Sequence, residues 1–238
     1  MLGLGNTGAA FQQRRPGTVR VKICCIASDA EADLAIDAGA DALGLVSAMP
    51  SGPGPIAEES IESIIGSIGT RAATVLLTSR QDAASIGTQL DRLRPTVVQL
   101  VDELTEREYA ALRVSHPSVV VMQVIHVRDE DAVREAAAVV PFVDALLLDS
   151  GNPKAAVKEL GGTGRIHDWS ISHAIRDAAQ RPVFLAGGLH ANNVAEAVER
   201  VRPFGVDVCS GVRTDGRLDR DKLRAFMHAA RSSLTTGE

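Results

Sequence analysis

The stretch PVFLAGGLHANNVAEAV, Pro182 to Val198, contains a complete strand, turn and helix unit. Its apolar residues Val183 to Ala186 are typical of a strand that is buried on both faces. Two glycines follow at once, and glycine permits a sharp turn that leaves backbone amides uncovered. Asn192 is a frequent capping residue type, so the stretch predicts a helix over Asn193 to Val201, with Pro203 beyond its end.

The same unit recurs along the whole chain. Short runs rich in Val, Ile, Leu and Ala predict eight parallel strands: Val19 to Cys24, Ala42 to Val46, Ala73 to Leu77, Val97 to Leu100, Val119 to Ile125, Ala145 to Leu148, Val183 to Ala186 and Val206 to Cys209. Strands that alternate with helices imply right-handed βαβ units and a parallel sheet. Eight repeats favour a closed (β/α)8 TIM barrel over an open doubly wound sheet, although the count alone does not decide between them.

Capping residues and glycines in the sequence predict helix boundaries, and the absence of a linker predicts the domain limits. Ser28 predicts a helix over Asp29 to Ala38 that Gly39 would end, and a second helix is predicted over Glu58 to Ile68, with Gly69 after it. No linker-like stretch divides the chain. We therefore predict one barrel domain over residues 19–238, preceded by a flexible tail over residues 1–18.

Composition excludes several classes of function. The chain of 238 residues is 45% hydrophobic and 23% charged, as in ordinary soluble globular proteins. A net charge of −5 without a basic cluster argues against nucleic acid or an anionic membrane as a partner. No apolar run is long enough to cross a membrane, and the N-terminus lacks the pattern of an export signal, so we expect a cytoplasmic protein. The 3 cysteines fit neither a disulfide framework nor a zinc site.

Three glycine-containing turns lie at predicted strand-to-helix junctions. They are GGTG at Gly161 to Gly164, AGGL at Ala186 to Leu189 and CSGV at Cys209 to Val212. Uncovered amides and helix N-termini bind anions. A single such turn is most often only a tight turn, but three at neighbouring strand ends favour a phosphate site.

Polar residues inside the strands suggest chemistry at the barrel mouth, where barrel active sites lie. Alternation in the first strand places Lys22 and Cys24 inside the barrel. A buried ammonium needs an anion and would favour the thiolate of Cys24, although a strand cysteine is often inert packing. Asp149 is either a turn residue or an acid that faces the mouth, and Asp207 is predicted to turn inward.

The chain resembles the phosphoribosylanthranilate isomerase family of tryptophan biosynthesis over Val19 to about Ala230. The motifs that carry the resemblance are KIC at Lys22 to Cys24, AGADALGLV at Ala38 to Val46, VVQL at Val97 to Leu100, LLLDS at Leu146 to Ser150, GGTGRIHDW at Gly161 to Trp169, PVFLAGGLHANNVAEAV at Pro182 to Val198 and RPFGVDVCSGV at Arg202 to Val212.

The resemblance implies a (β/α)8 barrel that catalyses an Amadori rearrangement without a metal or an organic cofactor. The expected substrate is N-(5-phosphoribosyl)anthranilate, a phosphorylated aminosugar, and the product is 1-(2-carboxyphenylamino)-1-deoxyribulose 5-phosphate. Asp149 matches the family's acid, which opens the furanose ring, and Cys24 matches its base, which removes the proton from sugar C2. Further implied contacts to the substrate are Lys22, Asp207 and Arg213, and the implied phosphate cradle is Gly162, Gly164, Gly187, Gly188, Ser210 and Gly211. We expect a monomer or a homodimer.

Several positions depart from the family pattern. Gly54 stands where the family has an arginine that holds the anthranilate carboxylate, and Val101 stands where it has a histidine. A usual lysine is Gln123, a usual glutamate is Arg213, and KICG is KICC, with Cys25. Three hypotheses follow. Arg213 or Arg165 takes over the carboxylate; or the chain is a paralogue for a different phosphorylated aminosugar or for one whose aglycone lacks a carboxylate; or it is a catalytically silent phosphosugar-binding barrel. An intact Cys24 and Asp149 argue against the last.

Overall fold

The fold is a closed barrel of eight parallel strands in the order of the sequence. The computed structural model describes residues 18–151 and 167–232. Its strands are β1 (Arg20–Ile23), β2 (Ala42–Val46), β3 (Ala73–Thr78), β4 (Val97–Leu100), β5 (Val120–His126), β6 (Ala145–Asp149), β7 (Val183–Leu185) and β8 (Gly205–Val208). The predicted (β/α)8 barrel is confirmed, and the predicted strand ends differ from these by one residue at most.

Pairing between β1 and β8 closes the barrel. Lys22 lies beside Asp207 and Ile23 beside Val208 in this register, while Lys22 lies beside Ala42 on the other side. The Cys24 N–H continues the ladder by donating to the Val208 carbonyl at 2.8 Å. The first strand is therefore fixed between β2 and β8, with its carboxyl end at the mouth.

A helix follows each strand of the barrel in the described part of the chain. These helices are α1 (Asp29–Asp37), α2 (Glu58–Ile68), α3 (Ala83–Leu93), α4 (Glu106–Ser115), α5 (Asp131–Val139), α6 (Trp169–Ala179), α7 (Val194–Val201) and α8 (Arg220–Ser232). Ser28 caps α1 as predicted, because its side chain accepts the Glu31 N–H. The predicted cap at Asn192 is wrong by one residue: the cap position is Asn193, whose side chain accepts the His190 N–H.

Two apolar cores fill the molecule. One lies between the sheet and the helices and includes Val21 and Ile23, and the other fills the barrel and includes Cys24, Met122 and Phe184. This confirms the predicted alternation in β1. Beyond β8, a 3₁₀ turn (Ser210–Val212) leads into a small antiparallel hairpin, β9 (Arg213–Thr214) and β10 (Arg217–Leu218), at the rim.

Within residues 18–151 and 167–232, none of the helices has both the length and the apolarity that a bilayer crossing requires. Cytoplasmic location stays a prediction. The flexible tail over residues 1–18 also stays a prediction, since all of it except Thr18 lies outside the described residues.

Candidate functional site

A cavity of about 640 Å³ opens at the carboxyl ends of the strands. Its lining combines residues of β2, β3, β4, β6 and β8 with residues of the loops that follow β1, β2, β7 and β8. The lining residues that matter here are Cys24, Cys25, Ser51, Gly52, Pro53, Gln99, Asp149, Gly187, Gly188, Asp207, Cys209 and Ser210. Cys24 and Asp149, predicted as base and acid, therefore line one cavity.

Lys22 lies beneath this cavity, fully buried, with Asp207 as its anion. The Lys22 Nζ donates to Asp207 Oδ2 at 2.8 Å. Burial tends to lower the pKa of Lys22, but interactions with Asp207 and Cys24 outweigh burial and raise the pKa. Burial also raises the pKa of Asp207, and Lys22 opposes that effect. The short contact in a buried setting favours the charged pair.

The Cys24 sulfur lies close to this ammonium. A β-carbon built on Gly44 would lie 2.9 Å from Cys24 Sγ and 3.2 Å from Lys22 Nζ, so both atoms converge on one point. The inward orientation follows from strand alternation, as the sequence predicts. A cation is thus available beside the thiol.

Two buried oxygens in the cavity lack a hydrogen-bond partner among the described residues. They are Asp207 Oδ1 and Gln99 Oε1, and both residues line the cavity. Oxygens of this kind accept hydrogen bonds from hydroxyl groups. Gln99 was missed as a site residue, although alternation along Val97 to Leu100 places it inside the barrel beside Val97.

Asp149 ends β6 on the opposite side of the cavity from β2 and is almost buried, at 9% exposure. Its Oδ1 accepts the Ser150 N–H at 2.7 Å. A β-carbon built on Gly187 would lie 3.2 Å from Asp149 Oδ1 and 3.1 Å from His167 Nδ1. The acid candidate, the glycine turn and a histidine therefore meet at one place.

Two neutral imidazoles flank Asp149, and sequence analysis identified neither. His126 pairs with Asp149 in the β5–β6 register, and its Nε2 must carry hydrogen because it lies 3.2 Å from the Val101 carbonyl, which only accepts. Burial lowers the pKa of His126 and likewise that of His167. His167 Nε2 lies 2.7 Å from the Ser172 hydroxyl. The sequence could have indicated them only by their positions, because His126 ends β5 and His167 lies just before α6.

The glycine turns divide between the cavity and its wall. Gly187, Gly188 and Ser210 line the cavity. Gly211 packs behind it, where a β-carbon would lie 2.0 Å from the Leu189 carbonyl oxygen, so close backbone packing alone requires this glycine. Gly162, Gly164 and Arg165 lie outside the described residues.

Arg213 points away from the cavity lining. Its terminal nitrogens donate to both Glu31 oxygens at 2.9 and 3.1 Å. They also donate to the main-chain oxygens of Cys24, Cys25 and Gly216. These contacts support a clamp between the β1–α1 loop and the rim hairpin, and they give no support to the predicted contact with a substrate carboxylate.

The side chain of Cys25 occupies the space that a side chain at position 54 would need. Cys25 has a left-handed backbone, with φ of +63°, a conformation that favours glycine. A β-carbon on Gly54 would lie 2.7 Å from Cys25 Cβ and 3.0 Å from Cys25 Sγ. The two departures from the family pattern are therefore coupled, because the side chain at position 25 excludes one at position 54.

Gln123 and Val101, two further departures from the family pattern, make contacts inside the protein. Gln123 accepts a hydrogen bond of 2.6 Å from the Tyr109 hydroxyl and donates to the carbonyls of Leu100 and Val124. Val101 is buried in the barrel core. In the described part of the chain, no group of three or more His, Cys, Asp or Glu side chains is arranged to hold a metal ion.

Comparisons with known proteins agree with this geometry. A family model described as N-(5'phosphoribosyl)anthranilate (PRA) isomerase matches residues 21–229. An N-(5'-phosphoribosyl)anthranilate isomerase from Haloarcula marismortui is 34% identical over 218 residues, covering 90% of this chain and 97% of the relative. One from Pelobacter propionicus is 37% identical over 216 residues, covering 90% and 97%.

Solved structures of similar shape bear related names. The phosphoribosyl anthranilate isomerase of Thermotoga maritima has a TM-score of 0.76 and 30% identity, covering 90% of this chain and all 100% of that chain. Another phosphoribosyl anthranilate isomerase, solved in complex with reduced 1-(o-carboxyphenylamino)-1-deoxyribulose 5-phosphate, has a TM-score of 0.73 and 28% identity, covering 90% and 100%.

Proposed function

The chain belongs to the N-(5'-phosphoribosyl)anthranilate isomerase family, and we propose that it catalyses the Amadori rearrangement of N-(5'-phosphoribosyl)anthranilate in tryptophan biosynthesis. The observation that carries the proposal is that Cys24 and Asp149 line one cavity together with the Gly187–Gly188 turn. The substrate in the relatives' names is a phosphoribosyl derivative of anthranilate rather than an aminosugar. The expected monomer or homodimer stays a prediction.

Cys24 acts as the base in this proposal. The Lys22 ammonium lies beside it, and Lys22 keeps its proton because Asp207 pairs with it. The thiolate removes the proton from sugar C2 after the ring has opened. Asp207 Oδ1 and Gln99 Oε1, which have no partner among the described residues, accept hydrogen bonds from sugar hydroxyls.

Asp149 acts as the acid and protonates the furanose ring oxygen, which opens the ring to an iminium ion. Its described neighbours differ from those of Asp207: two neutral imidazoles flank Asp149, whereas an ammonium pairs with Asp207. Two carboxyl groups in such different surroundings are suited to different roles. The proton that Cys24 takes from C2 leaves an enolamine, which tautomerises to the ketone.

The 5-phosphate binds at Gly187, Gly188 and Ser210, which line the cavity and whose main-chain amides are suited to an anion. Gly162 and Gly164 belong to the same proposed cradle, and Gly211 supports it through its packing on Leu189. The aglycone lies towards Ser51, Gly52 and Pro53 on the β2–α2 loop.

The proposal is tested by loss of substrate fluorescence when the purified chain is added to enzymatically generated N-(5'-phosphoribosyl)anthranilate. We expect Cys24→Ser and Asp149→Asn each to lower turnover by at least about 100-fold, because each removes a proton-transfer group. Asp33→Asn is a matched control, since Asp33 is an exposed surface residue. Absence of turnover by the unsubstituted chain, where a known isomerase works, would refute the proposed activity.

A second candidate is a paralogue whose aglycone lacks a carboxylate. Two observations favour it. Gly54 has no side chain that could bind a carboxylate, and Arg213 already forms an ion pair with Glu31. Ribose 5-phosphate would then raise the melting temperature of a chain that fails to convert the anthranilate substrate. Turnover of that substrate with a normal Michaelis constant would eliminate this candidate.

A further inference from the structure

Three cysteine thiols lie at the mouth of the cavity, whereas the proposed reaction uses only the thiol of Cys24. Cys24, Cys25 and Cys209 are all free, and all three line the same cavity. The β1–β8 ladder brings them together, because Ile23 pairs with Val208 and Cys24 bonds to the Val208 carbonyl. Cys209 is the next residue of that ladder, and Cys25 follows Cys24 directly.

The backbone holds the Cys25 thiol in this position. Its left-handed conformation, with φ of +63°, breaks the strand at this residue, and Arg213 holds the Cys25 carbonyl. The Cys25 Sγ lies 3.6 Å from the Pro53 carbonyl, and the thiol interacts with both Cys209 and Cys24. The position of this thiol at the cavity that Cys209 also lines is therefore set by the fold.

The two outer thiols differ in ionisation. The interaction with the Cys25 thiol and the nearby Arg213 guanidinium lower the pKa of Cys209, although burial opposes them. The contact with Cys209 raises the pKa of Cys25, and so do Cys24 and burial. Cys209 is also half-buried, whereas Cys24 and Cys25 are buried, so Cys209 is the thiol that a small oxidant reaches most readily through the cavity.

We propose that Cys209 and Cys25 are an oxidative modification site, at which hydrogen peroxide forms a reversible disulfide between them. The Cys209 thiolate attacks one peroxide oxygen, the O–O bond breaks, and the hydroxide that leaves takes a proton to become water, which leaves a sulfenic acid on Cys209. The Cys25 sulfur then attacks the Cys209 sulfur, and a second water leaves. Two thiols are oxidised to one disulfide while one peroxide is reduced to two waters.

Cys25 is the partner of choice for Cys209. A bridge between the adjacent residues Cys24 and Cys25 would be strained. A bridge between Cys24 and Cys209 would consume the proposed base, and it is the alternative that the experiment separates. The modification concerns thiols alone and is measured without reference to enzyme activity.

The test uses the reduced full chain treated with hydrogen peroxide, then denatured, alkylated with N-ethylmaleimide and weighed intact. We expect the unsubstituted chain to lose two of its 3 alkylatable thiols and therefore to carry one N-ethylmaleimide group where the reduced chain carries three. Dithiothreitol added before alkylation should restore both thiols. Cys24→Ser should still form the disulfide and retain no alkylatable thiol. Cys209→Ser and Cys25→Gly should not form it, and glycine suits the left-handed backbone at position 25, so that variant is expected to fold.

Three results would overturn the proposal. They are loss of the disulfide in Cys24→Ser, oxygen addition without any disulfide in the unsubstituted chain, and a disulfide that links two chains on a non-reducing gel. Each assigns the reactive thiol or its partner differently.

Discussion

Two ion pairs connect the first and last βα units, and they have different roles. Lys22 of β1 and Asp207 of β8 pair inside the barrel, with side-chain exposures of 0% and 8%. Arg213 of β9 and Glu31 of α1 pair at the rim, with exposures of 9% and 16%. Asp207 lines the cavity with a partnerless oxygen, whereas the Arg213 terminal nitrogens are occupied by Glu31 and main-chain oxygens. Burial of a charge thus does not by itself identify a substrate contact; access to the cavity does.

The largest effect is expected from breaking the inner pair with Lys22→Met. The substitution leaves the Asp207 carboxylate buried without its cation, which should lower the free energy of unfolding by about 3–5 kcal/mol and abolish turnover. Urea denaturation and the fluorescence assay measure the two effects. Lys22→Met/Asp207→Asn should regain most of the stability and none of the turnover; full activity of the single variant would show that Lys22 has no role beside Cys24.

Breaking the rim pair with Arg213→Ala should have a smaller and different effect. Glu31 loses its guanidinium partner and the carbonyls of Cys24 and Cys25 lose the Arg213 donor, so we expect the free energy of unfolding to fall by about 1–3 kcal/mol. The Michaelis constant should stay within about threefold, because the side chain does not line the cavity. A tenfold or larger rise in the Michaelis constant at unchanged stability would instead support the carboxylate-binding role predicted from the sequence.

Lowering the pH should remove the difference in the free energy of unfolding between the unsubstituted chain and Arg213→Ala. Burial raises the pKa of Glu31, but the Arg213 and Leu218 hydrogen bonds outweigh burial and lower it. A lowered carboxyl pKa stabilises the fold above the unfolded-state pKa of about 4.3, and that stability is lost as the pH falls further. The stability gap, measured by urea denaturation at several pH values, should be full near neutral pH and shrink below about pH 4. A gap that widens in acid would contradict this assignment.

The smallest effect is expected at the exposed pair of Arg134 and Asp131, which serves as a reference. Their side chains are 78% and 61% exposed. Arg134→Ala should change the free energy of unfolding by less than about 0.5 kcal/mol, because solvent screens the pair. A larger loss would mean that the two buried pairs cannot be ranked by burial.

Periodicity was sufficient to predict the barrel and the inward direction of Lys22, Cys24 and Asp207, since side chains alternate along a strand. It could not pair Lys22 with Asp207, because that contact joins residues 185 apart and depends on barrel closure. The direction of Arg213 depends on Glu31 and on the left-handed turn at Cys25, and neither leaves a pattern in the sequence. His126 and His167 were missed because the surroundings of Asp149 form only when neighbouring strands assemble.

The contact between Cys25 and Gly54 restricts the order in which this site can change by single mutations. Any side chain introduced at position 54 begins with a β-carbon 2.7 Å from that of Cys25. A route towards an arginine at position 54 is therefore expected to pass first through glycine at position 25, which empties the space. It must also change the left-handed backbone at Gly54, whose φ of +86° disfavours any side chain. Mutant libraries that vary position 54 alone are therefore expected to discard the arginine, and libraries meant to recover it need to vary position 25 and the loop around Gly54 as well.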